Sequence, residues 1–91
     1  VAHFKAGNSD AEARAEAAAD VTAWLAQHPE VNNYILCGDL NLYASNEPAW
    51  QALVGGASAR FADPANTPSG WVGPTFAAVH TQSPSNGLNA C

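Results

Sequence analysis

Over Val1–Lys5 the chain alternates, with Val1, His3 and Lys5 on one side and Ala2 and Phe4 on the other. This is the two-residue period of a strand, and it turns Phe4 to the core and His3 and Lys5 to the polar side. Ala6-Gly7-Asn8 predicts a turn. Ser9-Asp10-Ala11-Glu12 has the form of a capping box, with Ser9 at the N-cap and Glu12 at N3. A helix follows to about Gln27, and Pro29 ends it. Its apolar face is Ala13, Ala17, Val21, Trp24, Leu25 and His28, at spacings of three and four. Asp10 and Arg14 are placed for an i,i+4 ion pair.

Val31–Cys37 predicts a second strand, apolar on both faces near its end, as in a central strand of a sheet. Gly38–Ala44 is a loop. Ser45 or Asn46 caps a short helix through about Val54, with Trp50 and Leu53 inward, and Gly55-Gly56 stops it. Residues 57–73 read as loop, and 75–81 as a third strand. Gln82–Asn89 is polar.

Strand, helix and strand in this length form a crossover unit between parallel neighbours, whose C-terminal ends share one rim of the sheet. His3 lies near the end of the first strand. Asp39 and Asn41 lie just past the end of the second. Residues about 36 positions apart therefore converge where open α/β sheets place their ligand sites.

Ninety-one residues make one small α/β domain or a piece of one. No apolar run approaches the length of a bilayer span. The chain has no Met and no signal-peptide pattern at its start, and it reads as an internal piece of a longer protein. Low Lys and high Ala content fit an extracytoplasmic bacterial enzyme, extracellular or periplasmic. Cys37 reads as a small core hydrophobe and Cys91 as unpaired with it. Three basic residues (Lys5, Arg14, Arg60) face eight acids, for a net charge of −5. That excludes a duplex-gripping surface of clustered Lys and Arg in this chain. It leaves a small substrate, or charge supplied by a metal or by residues outside the chain.

The chemistry that fits a His, an Asp and an Asn at one rim is hydrolysis of a phosphomonoester or phosphodiester. The Asp orients and deprotonates water, the Asn amide holds a phosphoryl oxygen without adding charge, and the His donates to the phosphate or to the departing oxygen. A hard divalent cation with oxygen ligands, Mg²⁺ with Mn²⁺ or Ca²⁺ as substitutes, would offset the accumulating charge. Lys5 shares the face of His3 and is either a phosphate contact or a solvated lysine. The plainer readings are a turn for Asp39, with its carboxylate on nearby backbone N–H groups, and structural roles for His28, His80 and the three Trp residues, with Trp71 left open. Glu47 reads as a helix-start charge.

His3-Phe4-Lys5-Ala6-Gly7 followed by Gly38-Asp39-Leu40-Asn41 resembles the endonuclease/exonuclease/phosphatase superfamily, deoxyribonuclease I-like. Asp63-Pro64-Ala65-Asn66, Gly70-Trp71, Thr75-Phe76-Ala77 and His80-Thr81-Gln82-Ser83 are similar to its bacterial members. The resemblance implies a four-layer α-β-β-α sandwich, of which residues 1–91 would be a partial domain. It implies that His3 contacts the scissile phosphate and assists the leaving group, that Asp39 activates the attacking water, and that Asn41 helps hold the phosphate. Substrates would be phosphoesters, nucleic acid among them. The family's upstream Asn and metal-binding Glu, its later Asp and its final Ser-Asp-His have no counterpart in these 91 residues. The chain made alone is therefore expected not to hydrolyse DNA, RNA or bis-p-nitrophenyl phosphate with Mg²⁺. The other reading is a non-catalytic α/β module that keeps the scaffold for binding or assembly.

Overall fold

A computed structural model describes residues 1–71. The third strand expected at 75–81, the polar stretch 82–89, His80 and Cys91 lie outside the described residues. The order is β1 (Ala2–His3), a 3-10 turn (Asn8–Asp10), α1 (Ala11–Gln27), β2 (Gly38–Asp39) and α2 (Pro48–Gly55). β1 and β2 pair in parallel with Ala2 opposite Gly38 and His3 opposite Asp39. The Ala2 and Phe4 N–H groups donate to the Cys37 and Asp39 carbonyls, both at 2.9 Å. No helix of the described residues is long and apolar enough to cross a membrane.

Gly38 makes this pairing possible. Its φ is 135°, and a Cβ there would stand 1.9 Å from the Ala2 carbonyl oxygen. Only a residue with no side chain tolerates both the backbone angle and the approach.

Eight of the seventeen residues of α1 are Ala, which favours helix and lets neighbours come close. α1 packs along α2, with Ala18 and Ala49 both fully buried. Phe4, one residue past β1, joins them and Leu53 in the core, flanked by half-buried Leu36, Leu40, Leu42 and Phe61. α2 begins with Pro48, whose fixed φ suits the first helical turn, after Glu47 as N-cap. The helix thus starts later than a Ser45 or Asn46 cap would place it. Leu53 is buried as expected, but Ala49, not Trp50, is its fully buried companion; Trp50 is half-buried. Beyond α2, residues 69–71 return antiparallel to 43–45: Ser45 N–H donates to Ser69 O, and Trp71 N–H to Tyr43 O.

Three expectations are corrected. The capping box at Ser9 and Glu12 is absent: a 3-10 turn precedes α1, Asp10 is the N-cap, and no side chain caps the helix. The buried residues of α1 are Arg14, Ala18 and Leu25: Leu25 is buried as expected and Ala17 packs against the core, but Arg14 and Ala18 lie one residue on from Ala13 and Ala17. Ala13 is exposed and Trp24 is 53% exposed. The stripe turns because Arg14 is buried with a counter-charge and takes a position that polarity alone would give to solvent.

The second strand is also displaced. Val31–Cys37 is not strand, and pairing begins at the Cys37 carbonyl and runs through Gly38 and Asp39. The register leaves residues before Cys37 without a partner among the described residues, and an extended run without a neighbour is not a sheet strand. Ile35 is accordingly 89% exposed, and Cys37 is exposed with a free thiol, not a core residue. Asp39 therefore sits in the strand, not beyond its end.

Candidate functional site

The rim is built by register. His3 ends β1, Asp39 ends β2, and the two are Cα partners across the parallel pair. Partners in register project to the same side of a sheet. His3 Nε2 and Asp39 Oδ2 stand 3.9 Å apart, with side chains 75% and 46% exposed. That separation is longer than a direct hydrogen bond, and both groups face solvent side by side.

Asn41 closes the rim from behind. Its φ of 49° places it in the left-handed region, which Asn tolerates better than most residues. Its backbone N–H donates to Asp39 Oδ1 at 3.2 Å, an Asx turn that orients the carboxylate. Its side-chain Nδ2 donates to the Phe4 carbonyl at 3.0 Å and ties the exit of β2 to the exit of β1. The amide keeps a second N–H and its carbonyl for other use. His3, Asp39 and Asn41 are thus brought together. Lys5 is exposed on the same segment, and the part of it that is bound at the rim is its carbonyl.

Arg14 and Glu47 stand beneath the two exit segments. Glu47 stands at the start of α2, as its position predicts, with its carboxylate turned to Arg14. The expected Asp10–Arg14 pair is replaced by a long-range one, Arg14 Nε to Glu47 Oε2 at 2.9 Å, with side chains 1% and 11% exposed. Arg14 Nη1 also donates to the carbonyls of Lys5 and Gly7, at 3.2 and 2.7 Å. Glu47 Oε1 accepts the Tyr43 N–H at 2.8 Å. The Tyr43 ring covers the guanidinium, 5.2 Å from its centroid. The sequence carried one sign of this: Arg14 falls four residues before Ala18 and eleven before Leu25, on their stripe.

Charge at the rim is sparse. Of the three basic residues, Arg14 is buried and neutralised, which leaves Lys5 and Arg60 exposed. Among the described residues no three His, Cys, Asp or Glu side chains gather closely enough to hold a metal ion. His3 and Asp39 offer two ligands, and only one is a carboxylate, whereas Mg²⁺ and Ca²⁺ want about six oxygens. The described residues alone do not fit such a cation.

Each of the three Trp residues has a ring partner. Trp71 meets Trp50 edge-on at 4.8 Å and donates Nε1–H to Thr67 O at 2.6 Å. Trp24 stacks on His28 at 3.9 Å, and a His28 ring nitrogen bonds the Trp24 carbonyl. An open apolar groove of about 400 Å³ lies between α1 and the 34–36 segment, lined by Val21, Trp24, Leu25, Tyr34, Ile35 and Phe61. It shares no residue with the rim.

Compared with known proteins, the chain matches no family model, no curated protein and no solved structure.

Proposed function

We propose that the rim of β1 and β2 is part of a phosphoester-hydrolysing site, acting on a phosphomonoester or phosphodiester. The observation that carries this reading is the pairing of His3 and Asp39 in register, 3.9 Å apart and open to solvent, with Asn41 bonded across the two strands. Asp39 takes a proton from water, and the water oxygen bonds to phosphorus. The bond from phosphorus to the leaving oxygen breaks, and His3 gives that oxygen a proton. Asn41 presents its remaining N–H to a phosphoryl oxygen. With so few exposed basic residues, a small phosphoester suits the rim better than a duplex held along its backbone. Lys5, exposed and two residues past His3, is the candidate for a phosphate contact.

The setting proposed is the four-layer α-β-β-α sandwich of the endonuclease/exonuclease/phosphatase resemblance, with residues 1–91 a partial domain of it. A divalent cation, Mg²⁺ or in its place Mn²⁺ or Ca²⁺, would supply Lewis-acid charge neutralisation there. Because the described residues do not complete its shell, the 91-residue chain is proposed to bind it weakly and to be inactive by itself. A second reading, a non-catalytic α/β module, draws on one observation: Asp39 Oδ1 and Asn41 Nδ2 already serve backbone groups.

Titration with paramagnetic Mn²⁺, followed by NMR, separates the two. The hydrolase reading predicts selective broadening of the Asp39 and Asn41 amides at millimolar Mn²⁺, lost in Asp39→Asn. Broadening spread over the exposed acids of α1, with none at the rim, favours the module.

A further inference from the structure

Arg14 is the one charged side chain of the described residues that is buried, and the reaction proposed above does not use it. Burying an ion pair costs desolvation that an apolar pair of similar volume would avoid, so such a pair is weak grounds for stability alone. What distinguishes this pair is the identity of its other partners. The guanidinium holds the carbonyl of Lys5, two residues past His3, and that of Gly7. The Glu47 carboxylate holds the N–H of Tyr43, two residues past Asn41 and four past Asp39. The two segments leaving the rim are therefore joined twice: directly, by Asn41 to Phe4, and one layer deeper, through Arg14 and Glu47.

We propose that Arg14 and Glu47 are positioning residues: their buried fork fixes the exits of β1 and β2 against each other and so sets the spacing of His3 and Asp39 at the phosphoester rim. The proposal rests on the functional reading for its purpose but not for its geometry. The fork needs a planar donor. Lysine keeps the charge but offers one nitrogen where arginine uses two. Glutamine at 47 keeps an acceptor for Tyr43 and removes the charge that faces Arg14 Nε.

The test compares Arg14→Lys and Glu47→Gln with Leu25→Ala, a control that empties the buried stripe of the same helix about 16 Å further along it. Two signals read the rim without any activity. One is exchange of the Phe4 amide, which donates to Asp39 O. The other is the shift of the Asn41 side-chain amide. At urea concentrations chosen for equal global stability, both fork variants should speed Phe4 exchange by about tenfold, the factor carried by one hydrogen bond to a charged group, and should move the Asn41 amide. The control should do neither. Inorganic phosphate, read at His3 and Asn41, should bind the fork variants about tenfold more weakly than the parent by the same measure.

Rim signals that stay at parent values in the fork variants, or that the control moves equally, overturn the proposal. Should Arg14→Lys fail to fold, Glu47→Gln decides by the same two signals. Altered rim signals in a chain that never binds phosphate would uphold the positioning role and remove the phosphoester reading.

Discussion

His3 and Asp39 face each other across a parallel pair, and the chain between them contains the whole of α1. Their 3.9 Å separation is thus a tertiary quantity, set by the parallel pairing of the two strand ends and by the bonds that join their exits. It depends on a glycine under the strand contact, an asparagine across the exits and the Arg14–Glu47 pair below.

Gly38 is the least replaceable of these. Its positive φ and the Ala2 carbonyl in its path leave no room for a methyl group. Strained φ alone costs about 1–3 kcal/mol, and the clash adds to it. Gly38→Ala should lose at least about 2 kcal/mol of unfolding free energy in urea, together with the Phe4 amide protection. A loss under about 0.5 kcal/mol, the scale of a neutral surface change, would mean that the strands do not approach as described.

Asn41 combines a backbone role and a side-chain role that two substitutions separate. Asn41→Gly keeps the left-handed conformation and removes the tie to Phe4 O, so it should cost about 0.5–1.5 kcal/mol. Asn41→Ala also forces an alanine into the left-handed region and should cost roughly 1–2 kcal/mol more. Equal losses in the two variants would contradict the positive φ, and a neutral Gly variant would contradict the cross-strand tie. Urea titration of both proteins gives the comparison.

Ile35, 89% exposed, and Trp24, 53% exposed, leave an apolar face around an open groove. Exposed apolar patches of this kind promote association. The chain should sediment with a concentration-dependent coefficient. Ile35→Lys should reduce that dependence while changing stability by no more than about 0.5 kcal/mol. A parent chain that stays monomeric at all concentrations and melts in one sharp transition would contradict this.

The sequence made the rim legible because its signals are local. An apolar run broken by Gly38 and followed by Asp39-x-Asn41 marks a strand end, and an Ala-rich stretch ended by Pro29 marks a helix. A crossover unit then brings His3 and Asp39 together by topology. What stayed hidden depended on partners distant in sequence. Arg14 reads as the i,i+4 partner of Asp10 until Glu47, 33 positions on, takes that place, and that one burial turns the inward face of α1 away from Ala13 and Trp24. Val31–Cys37 has the composition of a strand, but among the described residues it has no neighbouring strand to pair with. The capping box failed because the turn at Gly7 runs into a 3-10 helix and leaves Asp10, not Ser9, at the start of α1.

Whether the rim handles phosphoesters is tested most directly with dimethyl phosphate, a diester that resists hydrolysis, titrated into the chain in the presence of Mg²⁺ and followed by NMR. Saturable shifts at His3, Asp39 and Asn41 in the millimolar range, abolished by Asp39→Asn and absent from the Trp24–Ile35 groove, are the predicted result. Shifts that miss those three residues, or that survive Asp39→Asn unchanged, would contradict it.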